Sequence, residues 1–137
     1  MKALYSTTVT ATGGRNGNIK SDNGVLDLEV RMPKALGGQN DDFTNPEQLF
    51  AGGYAACFDS ALNLVAQKSK VKIDSTITAT VSILANATGG FDLAVDLVAD
   101  IQGVERETAQ QLLEKAHQVC PYSNATRGNI EVTISLK

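Results

Sequence analysis

Cys57 and Cys120 are the only thiols in a chain of 137 residues, and His117 is its only histidine. These residue types carry nucleophilic, redox and metal chemistry, so their spacing limits what the chain can do. Two distant cysteines do not match the paired spacing of a zinc site, and one histidine adds too little to make another metal centre. No metal is expected. A serine hydrolase triad would have to use His117, and no nucleophile elbow of the G-x-S-x-G kind is present. Two readings of the thiols stay open: inert core, because free cysteine is among the most buried residue types, or reversible redox chemistry.

Composition narrows the setting. One domain is expected over residues 1–137, long enough to bury roughly two thirds of its unfolded surface without a disulfide or metal staple. Hydrophobic residues make up 42% and charged residues 20% of the chain, with a net charge of -3 and a pI near 5.0. That balance gives no electrostatic reason to expect nucleic acid as a partner. No run approaches the ~18 apolar residues of a spanning helix, and MKALYSTTVT lacks the apolar core and cleavage site of a signal peptide. The expected compartment is the cytoplasm, where thiols are kept reduced and a structural disulfide framework is a poor reading.

The elements that must position the thiols follow from periodicity. Residues 2–12, GNIKS and LDLEVR alternate as three strands joined by tight turns, and MPKALGGQNDDFT is a loop long enough to be functional. Asn45 as N-cap, Pro46 at the first helical position, Glu47 in the first turn and Gln48 at the third position specify a helix start. The helix is expected to run to about Lys70. It carries no charge between Glu47 and Asp59, which predicts apolar cover over most of its circumference. TITATVSILAN and FDLAVDLVADI form a hairpin across TGG, and residues 105–119 form a second helix ended by Pro121. SNATRGN reads as a turn and IEVTISLK as a last strand.

Phe50, Tyr54, Cys57, Ala61 and Leu64 recur at spacings of three and four, which puts the first thiol on one stripe with two aromatic rings. Apolar surroundings alone raise a thiol pKa, so a reactive Cys57 needs a cation from elsewhere. The candidate is Arg15 in TGGRNGN, a glycine-flanked turn that is otherwise an ordinary solvated hairpin. A buried arginine needs a carboxylate, and Glu47 is the natural partner. Ten residues at ~1.5 Å each put Glu47 about 15 Å along the helix from Cys57. It can therefore act only through Arg15 or across a subunit interface, unless it merely complements the helix dipole.

Gly52 and Gly53 each cost the helix ~1 kcal/mol relative to alanine. Ala51, Gly52, Ala55 and Ala56 form a small-residue surface that admits a second backbone, a hint of a dimer, with close packing inside one chain as the alternative. Cys120 falls where the second helix ends, a boundary at which a resolving thiol has room to move.

GGRNG, MPKALGG, NPEQLFAGGYAACF and VCPYSNATRGNI together resemble the organic hydroperoxide resistance (Ohr) proteins of the OsmC/Ohr superfamily, from the first strand to the final residues. The resemblance implies an α+β fold, with mixed sheets wrapped around a long buried central helix in an intertwined homodimer. It implies a thiol-dependent peroxidase in which Cys57 is peroxidatic, Cys120 is resolving, and Arg15 and Glu47 activate the thiol. Its substrates are then organic hydroperoxides, including those of fatty acids, met by an apolar approach past Phe50 and Tyr54. No cofactor is implied to be bound; dihydrolipoamide or a lipoylated protein returns the electrons. The competing readings are the osmotically induced OsmC branch and a non-enzymatic two-cysteine redox sensor.

Overall fold

The computed structural model describes Met1 to Lys137. The chain forms two compact units, Met1–Leu49 and Phe50–Lys137. In the first, β1 (Val9–Thr12), β2 (Gly17–Ser21) and β3 (Asp27–Val30) make an antiparallel sheet in sequence order. The first strand is shorter than its composition predicts, because β2 ends at Ser21, opposite Val9, and leaves the residues before it without a ladder. Ser21 closes the next turn: its hydroxyl donates to Asn23 Oδ1 and accepts from the Leu26 N–H. The loop after β3 contains a short 3-10 turn, Lys34–Leu36, and lines a polar cavity of about 530 Å³ with Asn16 and Arg31.

The helix start forms as its residues predict, with one change. The Gln48 N–H donates to the Asn45 side chain at 2.8 Å, but the Gln48 side chain accepts from the Thr44 hydroxyl instead of returning to the cap. The resulting helix, α1 (Pro46–Lys68), stops two residues before the expected end. Lys70 takes a left-handed conformation, φ 58°, and the Val71 N–H turns back to the Ala66 carbonyl. That arrangement satisfies the last carbonyls of the helix.

Two expectations about α1 are corrected. Tyr54, Phe58, Ala61, Leu62, Val65 and Ala66 are buried, yet Gly52, Ala56, Ser60 and Leu64, each four residues apart, form an exposed ridge. Apolar cover therefore does not extend around the helix within this chain, and Leu64, 41% exposed, leaves the stripe assigned to it. The helix is also long and apolar enough, by length and composition alone, to cross a membrane, with a mean hydropathy of 1.3 over its best window. Its small residues raise that mean without forming an unbroken apolar run. Its buried face belongs to the core, and Asp59 accepts hydrogen bonds from Ser75 and Asn63.

In the second unit, β4 (Asp74–Ala85) and β5 (Phe91–Gln102) pair along their whole length as the expected hairpin. Asn86 shapes the turn by accepting from the N–H groups of Thr88 and Gly90. α2 (Arg106–Val119) leads to α3 (Pro121–Thr126) and then to β6 (Glu131–Leu136), which lies parallel to β5 and makes the sheet mixed. Val95, Leu97 and Ala99 pack with Phe58 and Leu62 of α1 and with Leu112, Leu113 and Ala116 of α2. The architecture is the expected α+β, with two sheets and one long helix.

α3 corrects the reading of SNATRGN as a turn. Six residues carry too little periodicity to announce a helix, and serine, asparagine and threonine favour turns in isolation. Pro121 does not simply end α2; it occupies the start of the next helix. Cys120, between the two, is fully buried and not at an open boundary.

Candidate active site

In the first unit, Arg15 sits in a 3-10 turn, Gly14–Asn16, between β1 and β2. Gly13 at φ 80° and Gly14 at φ 59° adopt left-handed conformations that a side chain would strain. The turn delivers the guanidinium to Glu47 as a bidentate pair, Nη1 donating to Oε2 at 2.8 Å and Nη2 to Oε1 at 2.6 Å. The pairing expected from the sequence is thus present. It occupies two of the five arginine N–H donors and leaves the others for a ligand.

Hydrogen bonding from Arg15 holds the Glu47 carboxyl below its ordinary range against the opposing effect of burial, and the same bonds raise Arg15. A lowered carboxyl pKa stabilises the fold above the unfolded value of about 4.3, and the contribution disappears as pH falls through the folded value. The stability difference between wild type and Glu47→Gln, measured by urea unfolding, is therefore expected to hold near pH 7 and to close below about pH 4. A gap that persists to pH 2 would exclude ionised Glu47 as its source.

In the second unit, Cys57 and Cys120 are both free thiols. The Cys120 S–H is directed at Cys57 Sγ, 3.9 Å away, across 63 positions of sequence. A disulfide needs about 2.05 Å between sulfurs, so closure requires a shift of roughly 2 Å. Burial pushes the Cys57 thiol up and the neighbouring Cys120 adds to that effect, while the backbone N–H of Tyr122 pulls the other way. His117, half-buried in the last turn of α2, has no partner at Nδ1, and burial lowers its pKa with help from Arg127.

An apolar groove of about 580 Å³ adjoins α3, lined by Phe50, Phe91, Leu93, Tyr122, Ala125 and Ile130 among others. Phe50 lines this groove, and neither Cys57 nor Cys120 does. Tyr54 is not on the groove wall: it is completely buried, its ring 6.2 Å from that of Phe50 and 5.6 Å from that of Tyr122. Its hydroxyl meets Ser123 Oγ at 2.9 Å and Thr126 Oγ1 at 3.2 Å. Tyr122, Ser123 and Thr126 were not legible as site residues, although a proline after a helix-ending cysteine could have signalled a second helix start.

The glycines of α1 differ in purpose. A Cβ on Gly53 would lie 2.8 Å from the Tyr122 hydroxyl, so this glycine lets the tyrosine ring cross the helix, whereas Gly52 faces open space.

A family model described as OsmC-like protein matches residues 38–135. The organic hydroperoxide resistance protein OhrB of Bacillus subtilis is 50% identical over 136 residues, covering 98% of this chain and 99% of that protein. An organic hydroperoxide resistance protein of Xanthomonas axonopodis pv. citri is 48% identical over 136 residues, covering 98% and 96%. Among solved structures, the organic hydroperoxide resistance protein of Elizabethkingia anophelis has a TM-score of 0.97 at 64% identity, covering 100% of this chain and 99% of that one. By sequence along its whole length and by fold, the chain belongs to the OsmC-like family and, within it, to the organic hydroperoxide resistance (Ohr) proteins.

Proposed function

We propose that this chain is a cysteine peroxidase that reduces organic hydroperoxides, including those of fatty acids, to alcohols. The Cys57 thiolate attacks the hydroperoxide oxygen; the O–O bond breaks, the alkoxide leaves and takes a proton, and Cys57 becomes a sulfenic acid. The Cys120 sulfur then attacks Cys57 Sγ, water departs, and a Cys57–Cys120 disulfide remains. The observation that carries this reading is the pair of free sulfurs 3.9 Å apart, too distant in sequence to be neighbours by accident of local structure.

Arg15 supplies the positive charge that Cys57 lacks among its own neighbours, and Glu47 positions that guanidinium. The apolar groove walled by Phe50 favours an alkyl tail, at ~25 cal/mol per Å² of apolar surface buried. No bound cofactor enters the cycle; dihydrolipoamide or a lipoylated protein, in the cytoplasm, returns two electrons to the disulfide. The exposed ridge Gly52, Ala56, Ser60 and Leu64 and the exposed Met1, Leu4 and Tyr5 are covered by a second copy of the chain in a homodimer.

The reduced protein treated with one equivalent of tert-butyl hydroperoxide is expected to lose both free thiols and two hydrogens of mass. Hydrogen peroxide is expected to act more slowly. Two thiols still free after the organic peroxide would remove the peroxidase reading.

A further inference from the structure

We propose that Tyr54, through Ser123 and Thr126, is a positioning residue for the second half of this reaction: it holds Cys120 where it can close on oxidised Cys57. The inference rests on the peroxidase reading.

Tyr54 stands three residues before Cys57 on α1, and Ser123 stands three residues after Cys120. The Tyr54–Ser123 contact at 2.9 Å and the Cys57–Cys120 contact at 3.9 Å are therefore consecutive rungs between the same two segments. One rung is a hydrogen bond. The other is the bond that the reaction must make.

The polar rung is fully buried, with Tyr54 and Ser123 at 0% exposure and Thr126 at 6%. Its three hydroxyls have one consistent proton order. Thr126 donates to the Tyr122 carbonyl, so it accepts from Tyr54, and Tyr54 in turn accepts from Ser123. Each hydroxyl then has a partner, and bonds in such a chain reinforce one another. α3 needs this support, because six residues are far too few for a helix to persist alone. Cys120 caps that helix, its carbonyl accepting from the Asn124 N–H, so displacement of α3 carries the resolving thiol with it.

Closure consumes the Cys57 sulfenic acid and the Cys120 thiol and yields disulfide plus water. Its rate depends on how often the buried thiol lies in line with the S–O bond. When closure slows, the sulfenic acid survives long enough for a second hydroperoxide to oxidise it to the sulfinic acid. The polar rung thus protects the enzyme against overoxidation by its own substrate.

The test is single-turnover oxidation of Ser123→Ala and Tyr54→Phe by tert-butyl hydroperoxide, with dimedone trapping and intact mass to follow sulfenic acid, disulfide and sulfinic acid. The ratio of closure rate to sulfenic acid formation is expected to fall roughly five- to tenfold in each, the scale of one lost buried hydrogen bond. The sulfinic fraction in excess peroxide should rise. The double variant should close no more slowly than the slower single variant, because both remove one rung. Leu113→Ala, a core truncation, controls for lost stability and should leave the ratio unchanged. Closure at the wild-type rate in both single variants, or the same fall in ratio for Leu113→Ala, would overturn the positioning role. A wild-type chain that forms no disulfide would instead bring down the peroxidase reading, and this inference with it.

Discussion

A Cys120→Ser chain is expected to consume one equivalent of organic hydroperoxide and then stop, with Cys57 held as a sulfenic acid. The first step needs only the Cys57 sulfur and the charge that activates it, and Cys120 is not part of that attack. The second step needs a sulfur nucleophile within reach, and in this structure Cys120 is the thiol placed for it, 3.9 Å away. Serine cannot replace it, since a hydroxyl near neutral pH is a poor nucleophile toward sulfur and forms no stable bond there. With dihydrolipoamide present, turnover should fall by at least about tenfold, because an external dithiol must replace an intramolecular one whose effective concentration is high. Excess peroxide should drive the trapped species to sulfinic acid. Dimedone should label wild type little and the variant stoichiometrically. Undiminished multiple turnover would show that Cys120 is not the resolving thiol, and failure to trap a sulfenic acid would reverse or abolish the assigned roles. Cys57→Ser, by contrast, should consume no peroxide at all.

Much of the positioning framework was legible because it is local. Asn45 and Pro46 start α1, alternation and the TGG turn make the β4–β5 hairpin, and helical spacing defines α2. The Arg15–Glu47 pair was legible for another reason: an inward arginine needs a carboxylate, and Glu47 was the natural one. What could not be read depends on tertiary partners. In α3 the hydroxyls of Ser123 and Thr126 meet the buried hydroxyl of Tyr54, and nothing in PYSNAT announces that partner. Tyr54 itself has the spacing of a pocket residue, yet helical spacing cannot distinguish a residue that lines a groove from one beneath it. The exposed ridge from Gly52 to Leu64 was hidden for the same reason, since an uncharged helix predicts burial without saying which of its faces the chain itself covers.

Arg15→Ala is expected to lower the second-order rate of Cys57 oxidation by tert-butyl hydroperoxide about 10²- to 10³-fold near neutral pH, the scale of removing one preorganised donor from a developing negative charge. The physical need for that charge is visible at the thiol. Burial and the neighbouring sulfur raise the Cys57 pKa, and the Tyr122 N–H only partly opposes them. Each unit by which a thiol pKa exceeds the working pH costs about a factor of ten in thiolate. Lysine should restore little, because a point charge cannot keep the bidentate contact with Glu47 and offer further donors in the same plane. Glu47→Gln leaves the guanidinium in the chain but loosens its orientation, so a smaller loss, on the order of tenfold, is expected. A pH profile separates the two ways in which Arg15 can act. If the arginine mainly forms the thiolate, Arg15→Ala should approach the wild-type rate as pH rises, because hydroxide then supplies what the cation did. If it mainly stabilises the leaving oxygen, the gap should persist after Cys57 is fully ionised. An Arg15→Ala chain as fast as wild type at pH 7 would remove this residue from the reaction, and Glu47 with it, since the carboxylate acts only through the guanidinium it holds.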